Sequence, residues 1–444
     1  MPVNFKGGIQ PDWKKENLMK KAIEEMDAPR EVVIPLLMHK GIINNPTVNV
    51  GDRVLLGQKI GECASELSAP VFASVSGTVT AIEPRLSPSG EKILSVVIEN
   101  DFRDEHVELP EVHDRFRTVT LEELALIARE AGLVGMSGSV FPLSEKLLAA
   151  EGKVDTLIIN GAECEPYVSS DNRMMIEYTE EVYNGALACA NALGIRNIVL
   201  AIASDKEGAI AEFRRFLAKK PGVRLTIIHT KYPQGAEKQL IEAITGREVA
   251  PGETGVDAGV FVMNATTSAH LARAVSEGIA LTSRVVTVAG SAVANPKNLL
   301  VRIGTPIGKL FDACGGFLEH PDKVIMGGPL SGRAQASLDV PVVKGTNAIL
   351  AFCEGEGVAK LETSCIRCGK CVSVCPMNLM PIYINRALRA GKLSECEELH
   401  ISDCIECGCC AYVCPARISL VALFRTAKKK LAAIGEEEKT NEDQ

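Results

Sequence analysis

Two cysteine runs near the carboxyl end constrain this chain more than any other feature. They read Cys365-x2-Cys368-x2-Cys371-x3-Cys375-Pro376 and Cys404-x2-Cys407-x2-Cys410-x3-Cys414-Pro415. Three thiolates at three-residue spacing wrap one cubane on a tight loop, and the fourth, opening the following helix, reaches the neighbouring cubane. The spacing therefore assigns one [4Fe–4S] cluster to Cys365, Cys368, Cys371 and Cys414, and a second to Cys404, Cys407, Cys410 and Cys375. Gly369 and Gly408, each just after a second cysteine, let the backbone approach the cluster sulfurs. Zinc is the competing occupant of bunched thiols; two complete copies, both ending in Cys-Pro, favour clusters.

Of the 15 cysteines, ten fall between Cys365 and Cys414. The N-terminus has no charged stretch followed by an apolar one, so this bunching indicates metal binding in a reducing compartment and not a disulfide framework. Cys396 and Cys409 have no place in the spacing and are expected to be ordinary thiols. Cys63, Cys189, Cys314 and Cys353 are isolated and expected to pack in cores. A net charge of −8 without a long Lys/Arg block argues against nucleic acid as a partner. No run of 18 apolar residues occurs, so no direct membrane span is expected. The expectation is a cytoplasmic protein that meets a membrane only through partner subunits.

Two neighbouring clusters carry single electrons along a short wire, and a wire does no chemistry on a closed-shell metabolite. The other residues must supply a terminus, and 444 residues suffice for two to four domains. Residues 1–30 form a charged, irregular N-terminal segment. From 31 to 105, short alternating runs punctuated by Gly and Asp predict a small all-β unit resembling a biotinyl/lipoyl-like barrel sandwich. Its hairpin reads CASELS, with no lysine for a swinging arm. Residues 118–282 alternate helix and strand: TLEELALIAREAG, VDTLIIN, NIVLAIAS, RLTIIHT, GVFVMNA. This predicts an α/β domain with a mainly parallel sheet. A β-rich piece follows at 283–335, a Gly/Pro-punctuated connector at 336–360, the ferredoxin-like cysteine module at 361–425, and an acidic tail at 426–444 whose end, EEEKTNEDQ, is expected to be disordered.

Two segments of the α/β domain carry candidate chemistry. Ala131 to Leu147, AGLVGMSGSVFPLSEKL, places a glycine-bearing loop after a helix and ends near Lys146, which suits a phosphate. NGAECEPY, Asn160 to Tyr167, follows the strand VDTLIIN, and ligands bind at the carboxyl ends of strands in open α/β sheets. A solvated acidic loop is the plainer account of Glu163 and Glu165.

With FKGGIQP, VGDRVLLGQKIG, ASVSGTV, NGAECEPYVSSDNRMM, KYPQGAEKQLIEAITGREV and PVVKGTNAIL, the chain resembles the C subunit of the Rnf, or ion-translocating oxidoreductase, complex from residue 5 to about 425. It is identified as a diverged member or paralogue. The resemblance implies a multidomain α/β and β architecture: barrel sandwich, an α/β domain similar to the flavin-bearing subunit of respiratory complex I, a soluble-ligand-binding β-grasp domain, and a two-cluster ferredoxin-like α domain. It further implies FMN at the glycine loop, NADH as substrate, and partners that are other electron-transfer subunits of a membrane Rnf-type complex or a soluble reductase. Carried over by position, Gly135, Gly138 and Lys146 would follow the flavin phosphate and ribityl chain. Asn160 and the catalytic candidates Glu163 and Glu165 would line the isoalloxazine and nicotinamide side. Asn264 and Thr267 would close the pocket.

The family loop usually reads G-G-A-G-F-P-T, whereas this chain has Ser137-Gly138-Ser139-Val140-Phe141-Pro142-Leu143. If the fourth position needs φ > 0, Val140 is sterically poor there. The segment MHKGIINNP near His39 also departs from the family, and His39 is expected to be packed. These departures motivate the alternative of a flavin-free iron–sulfur relay or adaptor of another reductase complex.

Overall fold

The structure is a computed structural model describing residues 3–109, 115–356 and 361–442. Residues 357–360 of the expected connector and the last two of the expected tail lie outside the described residues.

The α/β domain is built on four parallel strands in the spatial order Arg224–Ile228, Asn197–Ala203, Thr156–Gly161, Val260–Asn264. Three of the runs are buried almost throughout, all six residues of Thr156–Gly161 among them, as strands covered by helices on both faces must be, while the edge strand Arg224–Ile228 is only half-buried. Around them run α1 (Leu121–Glu130), α2 (Leu143–Ala149), α3 (Ser170–Glu177), α4 (Thr179–Ala192), α5 (Glu207–Leu217), α6 (Glu237–Thr245) and α7 (Ala265–Glu277). Helix α1 starts as its sequence predicts, with a capping box between Thr120 and Glu123. The chain moves outward from Thr156–Gly161 to one edge and returns to place Val260–Asn264 on its other side. The sheet direction of travel thus reverses between these two strands, and a crevice opens at their carboxyl ends.

The barrel sandwich consists of a four-stranded antiparallel sheet (Glu31–Pro35, Lys92–Asn100, Gly77–Leu86, Arg53–Val54) facing three short strands (Asn45–Pro46, Lys59–Glu62, Val71–Phe72). Lys344 pins it to the α/β domain. Its ammonium is fully buried and donates to the carbonyls of Pro70 at 2.6 Å and Gly132 at 2.7 Å. Burial pushes its pKa down to about 7.

A six-stranded mixed sheet corrects two boundary expectations. Its order is Ile23–Glu25, Lys297–Arg302, Ser283–Ala289, Ala348–Phe352, Lys323–Met326, Arg333–Ala334. Ala348–Phe352, expected as connector, is an interior strand with all five residues buried. Ile23–Glu25, expected to be irregular, forms an edge. Both are too short for periodicity to reveal. The expected disordered tail is also corrected: a helix runs from Leu420 to Glu442, carried past the cysteine module by residues with good helix propensity.

Residues 3–25 stitch the units together. Val3 bridges to Ile228 at the sheet edge, Ile9 pairs with Tyr232, and Gly8 N donates to Val374 O at 2.8 Å. Gly7, at φ +82°, lies so close to the cysteine module that a Cβ there would sit 2.8 Å from Cys375 O, so any side chain would separate the two.

His270 on α7 is buried, and burial, with Arg273 and Arg284 nearby, pushes its imidazole down to about 3. The unfolded chain takes up this proton below about pH 6.5, while the folded chain does not. Stability present above that pH is therefore lost as pH falls. Between pH 7 and 5, His270→Met should lose about 2 kcal/mol less stability than the parent protein, measured by chemical unfolding at both pH values. Equal losses would show that His270 is not held neutral.

Candidate functional site

The crevice is lined on both sides by asparagines in register, Asn160 opposite Asn264. Asn160 Nδ2 donates to Gly235 O at 2.9 Å, and its Oδ1 accepts from Ala162 N at 3.1 Å. Asn264 caps α7 through Thr267 N (3.2 Å) and donates to Asp171 Oδ2 at 2.7 Å. Thr266 donates to the other Asp171 oxygen at 2.6 Å. Asp171, which lies within NGAECEPYVSSDNRMM but has no role legible from the sequence, thus ties the starts of α3 and α7 together.

A cavity of ≈ 760 Å³ occupies the crevice. Of the residues expected there, Gly135, Lys146, Asn160, Glu163, Glu165, Asn264 and Thr267 line it, while Gly138 does not. Its far wall includes Ile405 and Cys407 from the cysteine module. A volume of this size falls in the ordinary range for cofactor sites.

The glycine loop enters as a closed turn. Gly135 N donates to Phe141 O (2.9 Å), Val140 N to Gly135 O (3.0 Å), and Thr267 Oγ1 accepts from Met136 N (3.0 Å). Val140 has φ +44°, in the left-handed region that is costly for a β-branched residue. Its carbonyl accepts from Lys40 N at 2.9 Å. Gly345 leaves space for its isopropyl group: a Cβ on Gly345 would lie 2.6 Å from Val140 Cγ1.

Among the described residues, the N–H groups of Ser137, Gly138 and Ser139 have no protein acceptor. Consecutive free amides of this kind suit an anion. Lys40, exposed and without an ion pair among the described residues, also lines the cavity. The donor set therefore fits a phosphate. Lys146 Nζ donates to Val262 O at 2.8 Å and pairs with Glu237 at 3.3 Å.

The NGAECEP turn is framed by its own charges. Glu163, at φ +34°, turns its carboxylate onto the start of α3, accepting from Asp171 N (2.6 Å) and Asn172 N (3.0 Å). Burial and the Asp171 carboxyl push its pKa up to about 7. Glu165 accepts from the backbone N–H groups of Leu330 (3.1 Å) and Ser331 (2.9 Å), holding the six-stranded sheet's turn against the crevice, and burial raises its pKa. Both carboxylates line the cavity, but their hydrogen bonds bind protein. Cys164 is half-buried, and desolvation pushes its thiol up to about 11, unsuited to nucleophilic work.

Beneath the turn lie two buried lysines that no sequence motif marks. Lys15 Nζ donates to the carbonyls of Glu163 (2.8 Å) and Glu165 (3.3 Å), and Lys206 Nζ to Glu163 O (3.2 Å); both pair with Asp205. Lys15 lies 148 residues from Glu163 in sequence, so only the fold could reveal it.

In the cysteine module, Cys365, Cys368, Cys371 and Cys414 line one cavity, and Cys375, Cys404, Cys407 and Cys410, with Cys409 beside them, line another. The structure thus brings together the two sets of four that the spacing assigns. In neither do three thiols close to single-ion spacing; among the described residues no three His, Cys, Asp or Glu do. Tyr232 ties the second set to the crevice, its hydroxyl donating to Cys407 O at 2.6 Å. Gln239 of α6 adds a bond to Pro376 O at 3.2 Å. The KYPQGAEKQL segment is therefore the bridge between domains, and Cys409 packs against it. His39 is buried, as expected of a packed residue.

A switch-point crevice that shares Ile405 and Cys407 with one of two cysteine-lined cavities fits an oxidoreductase subunit with flavin-type and iron–sulfur-type domains. Sequence comparison agrees segment by segment. Residues 3–103 match the RnfC barrel sandwich hybrid domain, 128–273 the Nuo51 FMN-binding domain, 285–334 the SLBB domain and 364–418 the 4Fe-4S dicluster domain. The C subunit of the Na(+)-translocating ferredoxin:NAD(+) oxidoreductase complex of Acetobacterium woodii is 40% identical over 97% of both chains. The C subunit of the proton-translocating ferredoxin:NAD(+) oxidoreductase complex of Clostridium ljungdahlii is 41% identical over 99% of this chain and 96% of its own. The corresponding C subunit of the ion-translocating oxidoreductase complex of Rhodobacter capsulatus is 40% identical over 97% of this chain and 83% of its own. The chain belongs to the family of C subunits of ion-translocating oxidoreductase complexes. No helix among the described residues is long and apolar enough to cross a membrane.

The contact between Val140 and Gly345 can be tested by a double-mutant cycle. Gly345→Ala should cost about 1–3 kcal/mol by overpacking, but under about 0.5 kcal/mol in a Val140→Gly background, giving a clear coupling energy. Chemical unfolding of the four proteins measures it. An equal cost in both backgrounds would mean that Val140 does not pack there.

Proposed function

We propose that this chain exchanges electrons between NADH and a partner protein, through FMN in the crevice and two [4Fe–4S] clusters in the cysteine module. The carrying observation is the single cavity whose wall runs from the Gly135 loop, past Asn160 and Asn264, to Ile405 and Cys407. A flavin converts a two-electron hydride into the single electrons that cubanes accept, which makes this pairing chemically sensible. The NAD(+) in the names of the Acetobacterium and Clostridium relatives supports the nicotinamide end.

The chain's residues bind and orient. The N–H groups of Ser137, Gly138 and Ser139, with Lys40, would hold the flavin phosphate, and Gly135 keeps the wall bare beside it. Asn160, Asn264 and Thr267 set the floor at the strand ends. Lys146 supports that floor through Val262 O. Hydride transfer needs no protein acid or base, so Glu163 and Glu165 fit a framing role better than a catalytic one. Cys365, Cys368, Cys371 and Cys414 would hold one cluster. Cys404, Cys407, Cys410 and Cys375 would hold the other, and Cys407 lies in the walls of both this cavity and the crevice.

A second reading, a flavin-free relay, is favoured by one observation: Val140 holds a left-handed conformation that a glycine would adopt freely. Cofactor analysis of anaerobically purified protein separates the two. The proposal expects about eight irons, one FMN per chain and bleaching of the cluster absorbance by NADH. A full iron content without flavin, and no response to NADH after FMN is added, selects the relay. Ligand pairing has its own test. Cys375→Ala with Cys404→Ala should remove one cluster and leave about four irons, whereas pairing within each run would remove both clusters.

A further inference from the structure

The two cysteine runs are copies offset by 39 residues, and their backbones repeat closely. Arg367 and Glu406 occupy equivalent places at φ +57° and +55°, and Asn378 and Arg417 do so at φ +53° and +55°. The surroundings of the copies differ. Glu406 is held by Arg425 at 2.8 Å and Lys428 at 3.3 Å. Cys409, in the place of Lys370, is buried against Tyr232. In the first copy, Cys365 and Cys368 are exposed. Arg367, Lys370 and Arg417 are exposed too, and none has an ion pair among the described residues. Residues 361–371 and 414–420, which line this cavity or flank it, contain those three cations and a single carboxylate, Glu362, which is paired with Arg389. This local basic face stands on a chain of net charge −8.

An apolar centre accompanies the charges. Ile366 is 68% exposed and lines the cavity, and Leu361 is 90% exposed. Thr363 N donates to Ala416 O at 3.0 Å, which lays this segment beside Arg417. Small apolar centres with charged rims characterise transient protein interfaces, electron-transfer contacts lying at the small end. If the cations served only to offset the charge of a thiolate-bound cluster, the second copy should carry them in the same places. It has Glu406 and Cys409 instead.

We infer that the exposed face around Cys365 and Cys368, with Ile366 at its centre and Arg367, Lys370 and Arg417 at its rim, docks an acidic electron-carrier protein. The inference rests on the proposed cluster at this site. The set near Tyr232 faces the crevice, and the set at this face meets the outside, so the basic rim marks where electrons enter or leave the chain. Rim charges of this kind steer encounter and weaken with salt.

The test uses the full chain with its clusters and an acidic 2[4Fe–4S] ferredoxin as probe, with Kd read by surface-immobilised binding. Arg367→Glu with Lys370→Glu should weaken binding about tenfold or more at low salt, and the parent protein should lose affinity as KCl rises. The backbone accommodates the first change, since Glu406 has the same conformation in the other copy. Arg417→Asn, the residue of the other copy at that position, should weaken binding less. Iron content and NADH-driven reduction should match the parent in all variants. A parent protein without iron would refute the cluster assignment itself, a separate failure. No binding at low salt, or unchanged binding by an iron-replete double variant, overturns the docking face. Loss of iron in the variants overturns it too, because the cations would then be holding the cluster. Charge-dependent sedimentation with phosphatidylglycerol vesicles, without ferredoxin binding, would assign the face to a membrane surface and also overturn it.

Discussion

The carbonyl of Glu163 is the point on which the site depends. It belongs to a non-glycine residue at φ +34°, a conformation that persists only when its surroundings over-determine it. Lys15 and Lys206 supply that determination from below, and the start of α3 does so by donating to the carboxylate. Burying two ammonium groups is expensive unless they are paired and hydrogen-bonded. Asp205 meets both, and Lys206 and Lys15 hold its pKa below the usual range although burial works to raise it. Lys15 itself is pushed down to about 8, by burial first and then by Lys206. Removing either lysine would take a donor from the Glu163 carbonyl and leave Asp205 with a single cationic partner beneath the turn that carries Glu163, Cys164 and Glu165.

This clamp also explains how the N-terminal segment, unremarkable in composition, becomes a structural strap. Its bonds are made one or two at a time to partners far away in sequence: Val3 to the sheet edge, Gly8 to the cysteine module, Lys15 to the crevice turn, Ile23–Glu25 to the mixed sheet. No local pattern encodes such contacts. The same limit hid Ala348–Phe352, whose five apolar residues carry no period, and Asp171, an ordinary acidic residue until two helix starts converge on it. What the sequence makes legible is what repeats or clusters locally: the cysteine spacing, the Thr120 capping box, and the apolar runs of the parallel strands. Glu163 and Glu165 were legible as members of the site and not as to their partners, because a carboxylate's hydrogen bonds depend on segments that only folding brings near.

The loop from Gly135 to Phe141 shows how a chain can keep a shape while changing the residues that make it easy. A left-handed residue costs about 1–2 kcal/mol without glycine. Here that cost is met by contacts: Lys40 N on the Val140 carbonyl, Val140 N on Gly135 O, and the hollow left by Gly345 for the isopropyl group. Because these contacts hold the backbone, the N–H groups of Ser137 and Ser139, which line the crevice, and of Gly138 between them remain without protein acceptors. Anion recognition by a loop rests on backbone amides, so it tolerates serine for glycine provided the hydroxymethyl groups stay out of the ligand's path. Lys40, brought to the same wall by the barrel sandwich, adds a charge that the loop itself lacks. The barrel sandwich thereby acquires a part in the site: with Lys344 fastening it to Gly132 and Lys40 fastening it to Val140, its position decides whether the loop can hold the shape its sequence resists.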